Sequence, residues 1–182
     1  MESVFQSVTR AQKVLFFIPI FLLSLACSAF RPAHNAEKAR KKEASEILQM
    51  RQDVTGWAQN YVGIRYKYAG QSPRTGFDCS GFTSYVYKEF DLKLSPSSAS
   101  QSTSGLKIPI AEAQAGDLLF FKHARGKGIQ HVALVVSNDE NGLMICHAST
   151  SRGVIVENVY ASDYWKKRLL FARDVIGPQM MK

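Results

Sequence analysis

Apolar residues are spaced in two different ways along this chain, and the change falls past its middle. In "ASEILQMRQDVTGWAQNYVG", residues 44–63, Ile47, Leu48, Val54, Trp57, Ala58 and Tyr61 recur near helical spacing. This predicts an amphipathic helix that stops around Gly63. "IRYKYAGQSPRTGF" reads as a loop that delivers the chain to Asp78 and Cys79. Residues 80–90 predict a second helix with Phe82, Val86, Tyr87 and Phe90 on its buried side. "SPSSASQSTSG" is a polar loop or short helical turn. After it the period becomes two. "DLLFF" (117–121), "HVALVVS" (131–137), "LMICHAS" (143–149), "GVIVENV" (153–159) and "LLFARDV" (169–175) are strand segments separated by turn-like pieces such as "NDENG". Helices first and antiparallel strands afterwards predict an α+β domain.

The first residues follow neither pattern. Residues 14–26, "VLFFIPIFLLSLA", are almost all apolar and follow Arg10 and Lys13. The run is short for a membrane span and has the charge-then-apolar layout of a secretory signal. Cys27, with Ala26 before it, resembles the cysteine lipidated after signal cleavage in bacterial lipoproteins, although Ser24 stands where that signal usually has leucine. Plain signal cleavage after Ser28 or Ala29 is the other reading. Both predict export to the cell envelope. The domain plan is a signal over 1–27, a charged tether over 28–44 that includes His34, and one folded domain over 45–178.

With 182 residues the chain is long enough for one domain with a real core and short for two. Its net charge of +8 favours an anionic partner such as a membrane face or an acidic polymer. No zinc-finger, helix-turn-helix or aromatic-basic pattern points to nucleic acid. The three cysteines, Cys27, Cys79 and Cys146, form neither a disulfide framework nor a metal-type pair.

Cys79 carries the chemistry. A thiolate is the nucleophilic form, and both a helix N-terminus and a nearby imidazolium lower a thiol pKa. Cys79 has the first by position. His131 opens one strand and His147 closes the next. Alternation sets His131 with Ala133 and Val135, and His147 with Leu143 and Ile145. The "NDENG" turn makes these strands antiparallel neighbours, so the two rings meet. His131 then serves as base to Cys79, with His147 orienting it. Cys146 faces the other way as a buried thiol. The same alternation opposes a zinc site of Cys146, His147 and His131.

"GIRYKYAGQSPRTGFDCSGFTSYVY", "GDLLFF", "QHVALVV" and "CHASTSRGVIV" together resemble the NlpC/P60 cysteine peptidases, over roughly residues 47–175. The resemblance implies a papain-like α+β fold, helices packed on a five- to six-stranded antiparallel sheet. It implies hydrolysis of peptidoglycan stem peptides between D-glutamate and a diamino acid, without metal or organic cofactor, by a monomer. Cys79 matches the nucleophile, His131 the base, His147 the third polar residue and Tyr66 the oxyanion-site tyrosine. Asp78 and Ser80 match positions that line the substrate pocket. Tyr66 also reads as a core aromatic, and Asp78 as a helix cap. Two departures stand out: Ala69-Gly70 where the family often has two glycines, and Pro96 near a frequent arginine, which bears on substrate preference. A non-catalytic wall-binding lipoprotein and a thiol-dependent acyl or peptidyl transferase are the alternative functions.

Overall fold

The structure, a computed structural model, describes residues 18–126 and 128–177, with side chains from residue 34 onward. The start of the signal segment and the Cys27 side chain lie outside that description. The chain divides into two compact units, Met1–Ala44 and Ser45–Lys182. In chain order the elements are α1 (Ile18–Gln59), β1 (Gln71–Ser72), β2 (Gly76–Phe77), α2 (Cys79–Lys88), α3 (Ser98–Gln101) and β3 (Leu106–Ile108). They continue with β4 (Leu118–Lys122), β5 (Ile129–Asp139), β6 (Gly142–Ser149), β7 (Gly153–Asn158), α4 (Asp163–Lys166) and β8 (Leu169–Asp174). Among the described residues no helix is long and apolar enough to cross a membrane.

Helix α1 begins well before the periodicity predicts, and the segment expected as a tether is helical within it. Ala, Glu, Lys and Arg dominate residues 36–46 and favour helix even without an apolar face. Lys41 pairs with Glu37 one turn away at 2.7 Å. At its other end α1 closes at Gln59. Gly63 then adopts φ 91°, a left-handed value that glycine tolerates, and its N–H reaches Val154 O at 2.8 Å.

All five expected strands form, within a six-stranded antiparallel sheet ordered β3-β8-β4-β5-β6-β7. The sixth, β3, and the two-residue ladder of β1 with β2 are too short to show a period. The alternation along the strands sorts the core. Leu118, Phe120, Val132, Leu134, Cys146 and Ala148 pack with Val54 and Ala58 of α1 and Phe82, Val86 and Tyr87 of α2. Leu119, Phe121, Ala133, Val135, Leu143 and Ile145 form a second cluster on the other face, joined by Trp165. Each large side chain buried this way contributes about 1.5–3 kcal/mol before the cost of ordering it. Phe77, fully buried, meets the rings of Tyr61, Phe82 and Tyr85 at centroid distances of 5.9, 5.6 and 5.2 Å. That aromatic knot anchors the chain two residues before Cys79.

Candidate active site

Cys79 is the first residue of α2. Asp78 is its N-cap, with extended backbone, and its Oδ1 accepts the Gly81 N–H at 2.6 Å. The capping role weighed for Asp78 is therefore present in the structure. Gly81 is obligatory, because a Cβ there would lie 2.0 Å from Gly70 O. Ser80 is 6% exposed, and its hydroxyl donates to Pro96 O at 3.0 Å. It braces the loop behind Cys79. Gln101, fully buried, completes that brace: its amide donates to Ser80 O and Ser95 O, and its carbonyl accepts from Thr83.

The ladder between β5 and β6 runs from Asp139↔Gly142 to Leu134↔Cys146 and ends there. Beyond it, β5 still pairs with β4 through His131↔Phe121, and β6 with β7 through Ser149↔Gly153. Where the two strands part, the Val132 N–H is turned to the Cys79 sulfur. The thiol thus sits beside the backbone of the residue that follows His131, and Cys79 is half-buried.

Burial pushes the Cys79 thiol up, and the Asp78 charge adds to this. The N–H groups of Val132, Ser80 and Cys79 itself pull the other way and do not prevail. This corrects the expectation of a thiol lowered by its helix. The helix-end N–H groups act as expected, but desolvation is larger. Burial also holds His131 well below the ordinary imidazole range, and His147 beside it lowers it further. The resting pair is a neutral thiol and a neutral imidazole.

The two rings meet as the alternation predicts. His131 Nε2 lies 2.8 Å from His147 Nδ1, with the rings edge-on. His147 is fully buried, while Cys146 points to the opposite core, its S–H toward Ala58 O. Burial pushes the Cys146 thiol up to about 12, which leaves it inert. Among the described residues no group of His, Cys, Asp or Glu is arranged to hold a metal.

Tyr66 forms an isolated bridge to Phe77, two residues before Cys79. Burial pushes its phenol up, and the charges of Cys79, Asp78 and Tyr68 add to the shift. Three further residues escaped the sequence reading. Glu157 Oε1 lies 2.7 Å from His147 Nε2 and also accepts the Trp165 indole N–H at 2.8 Å, while Oε2 accepts from Arg152 at 2.7 Å. The signal available was a carboxylate placed in the otherwise apolar "GVIVENV".

Residues 63–174 match the model of the NlpC/P60 family. The chain is 34% identical over 142 residues to the "Gamma-DL-glutamyl hydrolase" of Bacillus subtilis (strain 168), covering 77% of this chain and 32% of that protein. It is 40% identical over 116 residues to the "Probable endopeptidase p60" of Listeria seeligeri, 64% of this chain and 21% of the relative. It thus spans a third or less of these two proteins. With the "Murein DD-endopeptidase MepS/Murein LD-carboxypeptidase" of Escherichia coli (strain K12) it shares 32% identity over 177 residues, 88% of this chain and 90% of the relative. Among solved structures, the NlpC/p60 domain of peptidoglycan hydrolase SagA superposes with a TM-score of 0.56 at 31% identity, over 67% of this chain and 96% of that one. The peptidoglycan hydrolase RipB from Mycobacterium tuberculosis gives 0.60 at 27% identity, over 72% and 67%.

Proposed function

The chain belongs to the NlpC/P60 family, and from that premise we propose that it is a cell-envelope cysteine endopeptidase that hydrolyses peptidoglycan stem peptides. The observation that carries this reading is the imidazole pair His131–His147 where β5 and β6 separate, next to Val132, whose backbone N–H acts on the Cys79 thiol at the start of α2. With Nε2 of His131 facing His147, its Nδ1 is the nitrogen left for the thiol.

In the proposed cycle the Cys79 proton passes to His131 Nδ1 as sulfur attacks the stem carbonyl carbon. The tetrahedral oxyanion receives the Tyr66 hydroxyl and the Cys79 backbone N–H, each donor worth about 3 kcal/mol. The imidazolium then protonates the leaving amine, the C–N bond breaks and a thioester remains. Water gives a proton to His131, attacks the thioester and releases the acid and the free thiol. The neutral resting pair fits this order, since sulfur becomes anionic only as its proton moves. Asp78 and Ser80 shape the pocket wall beside the nucleophile, and Asp78 also receives the free amine of the stem.

The bond cleaved is the one between D-glutamate and the diamino acid. A second reading, cleavage of DD cross-links, is favoured by the Escherichia coli relative matched over nearly its whole length. Export and lipidation at Cys27 complete the proposal, with the envelope membrane as anchor and a monomer as the working form. Mass spectrometry of products from purified muropeptides separates the two bonds. Wild type releases peptides and Cys79→Ala releases none. Equal cleavage by both proteins sinks the assignment.

A further inference from the structure

The carboxylate of Glu157 stands at the end of a hydrogen-bond chain whose donors can be assigned one by one. It comes from β7, where Glu157 pairs with Ile145 and Ile155 with His147. Glu157 is therefore the diagonal neighbour of His147 on the same face, within reach of a long side chain. Its Oε1 takes the Trp165 indole N–H, a group that only donates, and faces His147 Nε2 at 2.7 Å. Its Oε2 takes the Arg152 guanidinium.

We propose that Glu157 is a positioning residue that sets the tautomers of both imidazoles, so that the lone pair of His131 Nδ1 faces the thiol. An ionised carboxylate accepts only, so His147 Nε2 must carry hydrogen. A neutral His147 then has its lone pair on Nδ1, and His131 Nε2, 2.8 Å away, must donate to it. A neutral His131 keeps its own lone pair on Nδ1. Reversing the first proton reverses every later one. No water competes at His147, which is fully buried. The carboxylate stays ionised: burial pushes it up, but the bonds from Arg152, His147 and Trp165 outweigh burial and leave it below the ordinary range.

Trp165 couples the two ends of this chain. Its indole N–H is on Glu157 while its ring stacks on His131, 4.7 Å between centroids and 29° from parallel. It also stands edge-on to His147 at 5.0 Å and to Phe121 at 5.0 Å. The residue that caps the face of the base is thus held in place by the carboxylate that sets its tautomer.

The inference rests on the reading of Cys79 and His131 as nucleophile and base, and its test separates the two. Imidazole nitrogen NMR of the purified wild-type protein at neutral pH is expected to show both His131 and His147 protonated on Nε2 and bare on Nδ1. A His147 protonated on Nδ1 overturns the proposal without any variant. In Glu157→Gln, which keeps the shape and loses the charge, kcat on muropeptides is expected to fall about 10- to 100-fold with KM nearly unchanged. Glu157→Leu, which removes the acceptor altogether, shifts the His147 tautomer, and Glu157→Asp recovers part of the loss in kcat. Full activity in Glu157→Gln and an unchanged His147 tautomer in Glu157→Leu, with Cys79→Ala inactive, sink the positioning role alone. An active Cys79→Ala sinks the underlying reading instead.

Discussion

The Val132 backbone N–H points at the Cys79 sulfur where β5 leaves β6, so the thiol is held by the strand that carries His131. Because burial raises this thiol, little thiolate exists at neutral pH without substrate. The rate of Cys79 alkylation by iodoacetamide is expected to climb with pH and to keep climbing above pH about 9. A plateau reached below pH 7 contradicts the neutral resting site.

Tyr66 lies close enough to Cys79 for the thiol to perturb its phenol. Removing the hydroxyl in Tyr66→Phe leaves the ring against the core and deletes the proposed oxyanion donor. The expected loss is about 10²- to 10³-fold in kcat, with the melting temperature nearly unchanged. Stability and activity falling together on that substitution point to a core aromatic instead.

Asp78 caps α2 through the Gly81 N–H. Asparagine caps about as well as aspartate, whereas alanine costs about 1 kcal/mol. Asp78→Asn is expected to keep the denaturation midpoint and lose affinity for stems with a free amine, seen as a raised KM. Asp78→Ala loses both. An Asp78→Asn protein with unchanged KM leaves the cap as its whole role.

Arg51 of α1 donates to Asp117 Oδ1 at 2.6 Å and to Ala115 O at 2.9 Å, and pairs with Asp174 at 2.9 Å. The Arg51 and Asp117 side chains are 6% and 1% exposed. Arg51→Met leaves a buried carboxylate without its cation and is expected to cost about 3–5 kcal/mol in urea unfolding. Adding Asp117→Asn recovers part of the loss. A single variant within 1 kcal/mol of wild type, roughly the worth of an exposed pair, refutes that dependence.

Burial lowers the pKa of His131, and His147 lowers it further. Burial also lowers His147, with Glu157 partly offsetting. Unfolded histidines titrate near pH 6.5, so below it the unfolded chain binds protons that the folded one refuses. The contribution of the two histidines is expected to be full above about pH 7 and to fall as pH drops toward 5. At its steepest the loss is about 1.4 kcal/mol per pH unit for each histidine. Glu157 acts in a lower window, adding stability above its ordinary range that is lost as pH falls through its lowered value. Denaturation midpoints across pH 5–7, compared with a His131→Gln/His147→Asn double variant, check the sign: the variant's profile is flatter. Asp117, which burial pushes up to about 6, acts in the opposite sense in both proteins, so a double variant whose profile matches that of wild type sinks the histidine contribution.

Much of this molecule was legible in local pattern. A period of two is a property of neighbouring residues, so five strands and the shared face of His131 and His147 could be read directly. The start of α2 could be read from Asp78, a capping residue just before a helical run. The beginning of α1 could not, because residues 30–44 have helix-forming composition without an apolar stripe. Nor could β1, β2 and β3, whose two or three residues carry no period.

Alternation and capping act between neighbours in the chain, so which residues bear reactive groups and which face of a strand each occupies are local properties. Tertiary structure decided the rest. The order of the sheet, the parting of β5 from β6 and the diagonal approach of Glu157 to His147 depend on pairings between distant segments. The sign of the Cys79 shift was settled there too. The helix start is local to that cysteine, but the desolvation that outweighs it comes from everything packed around it.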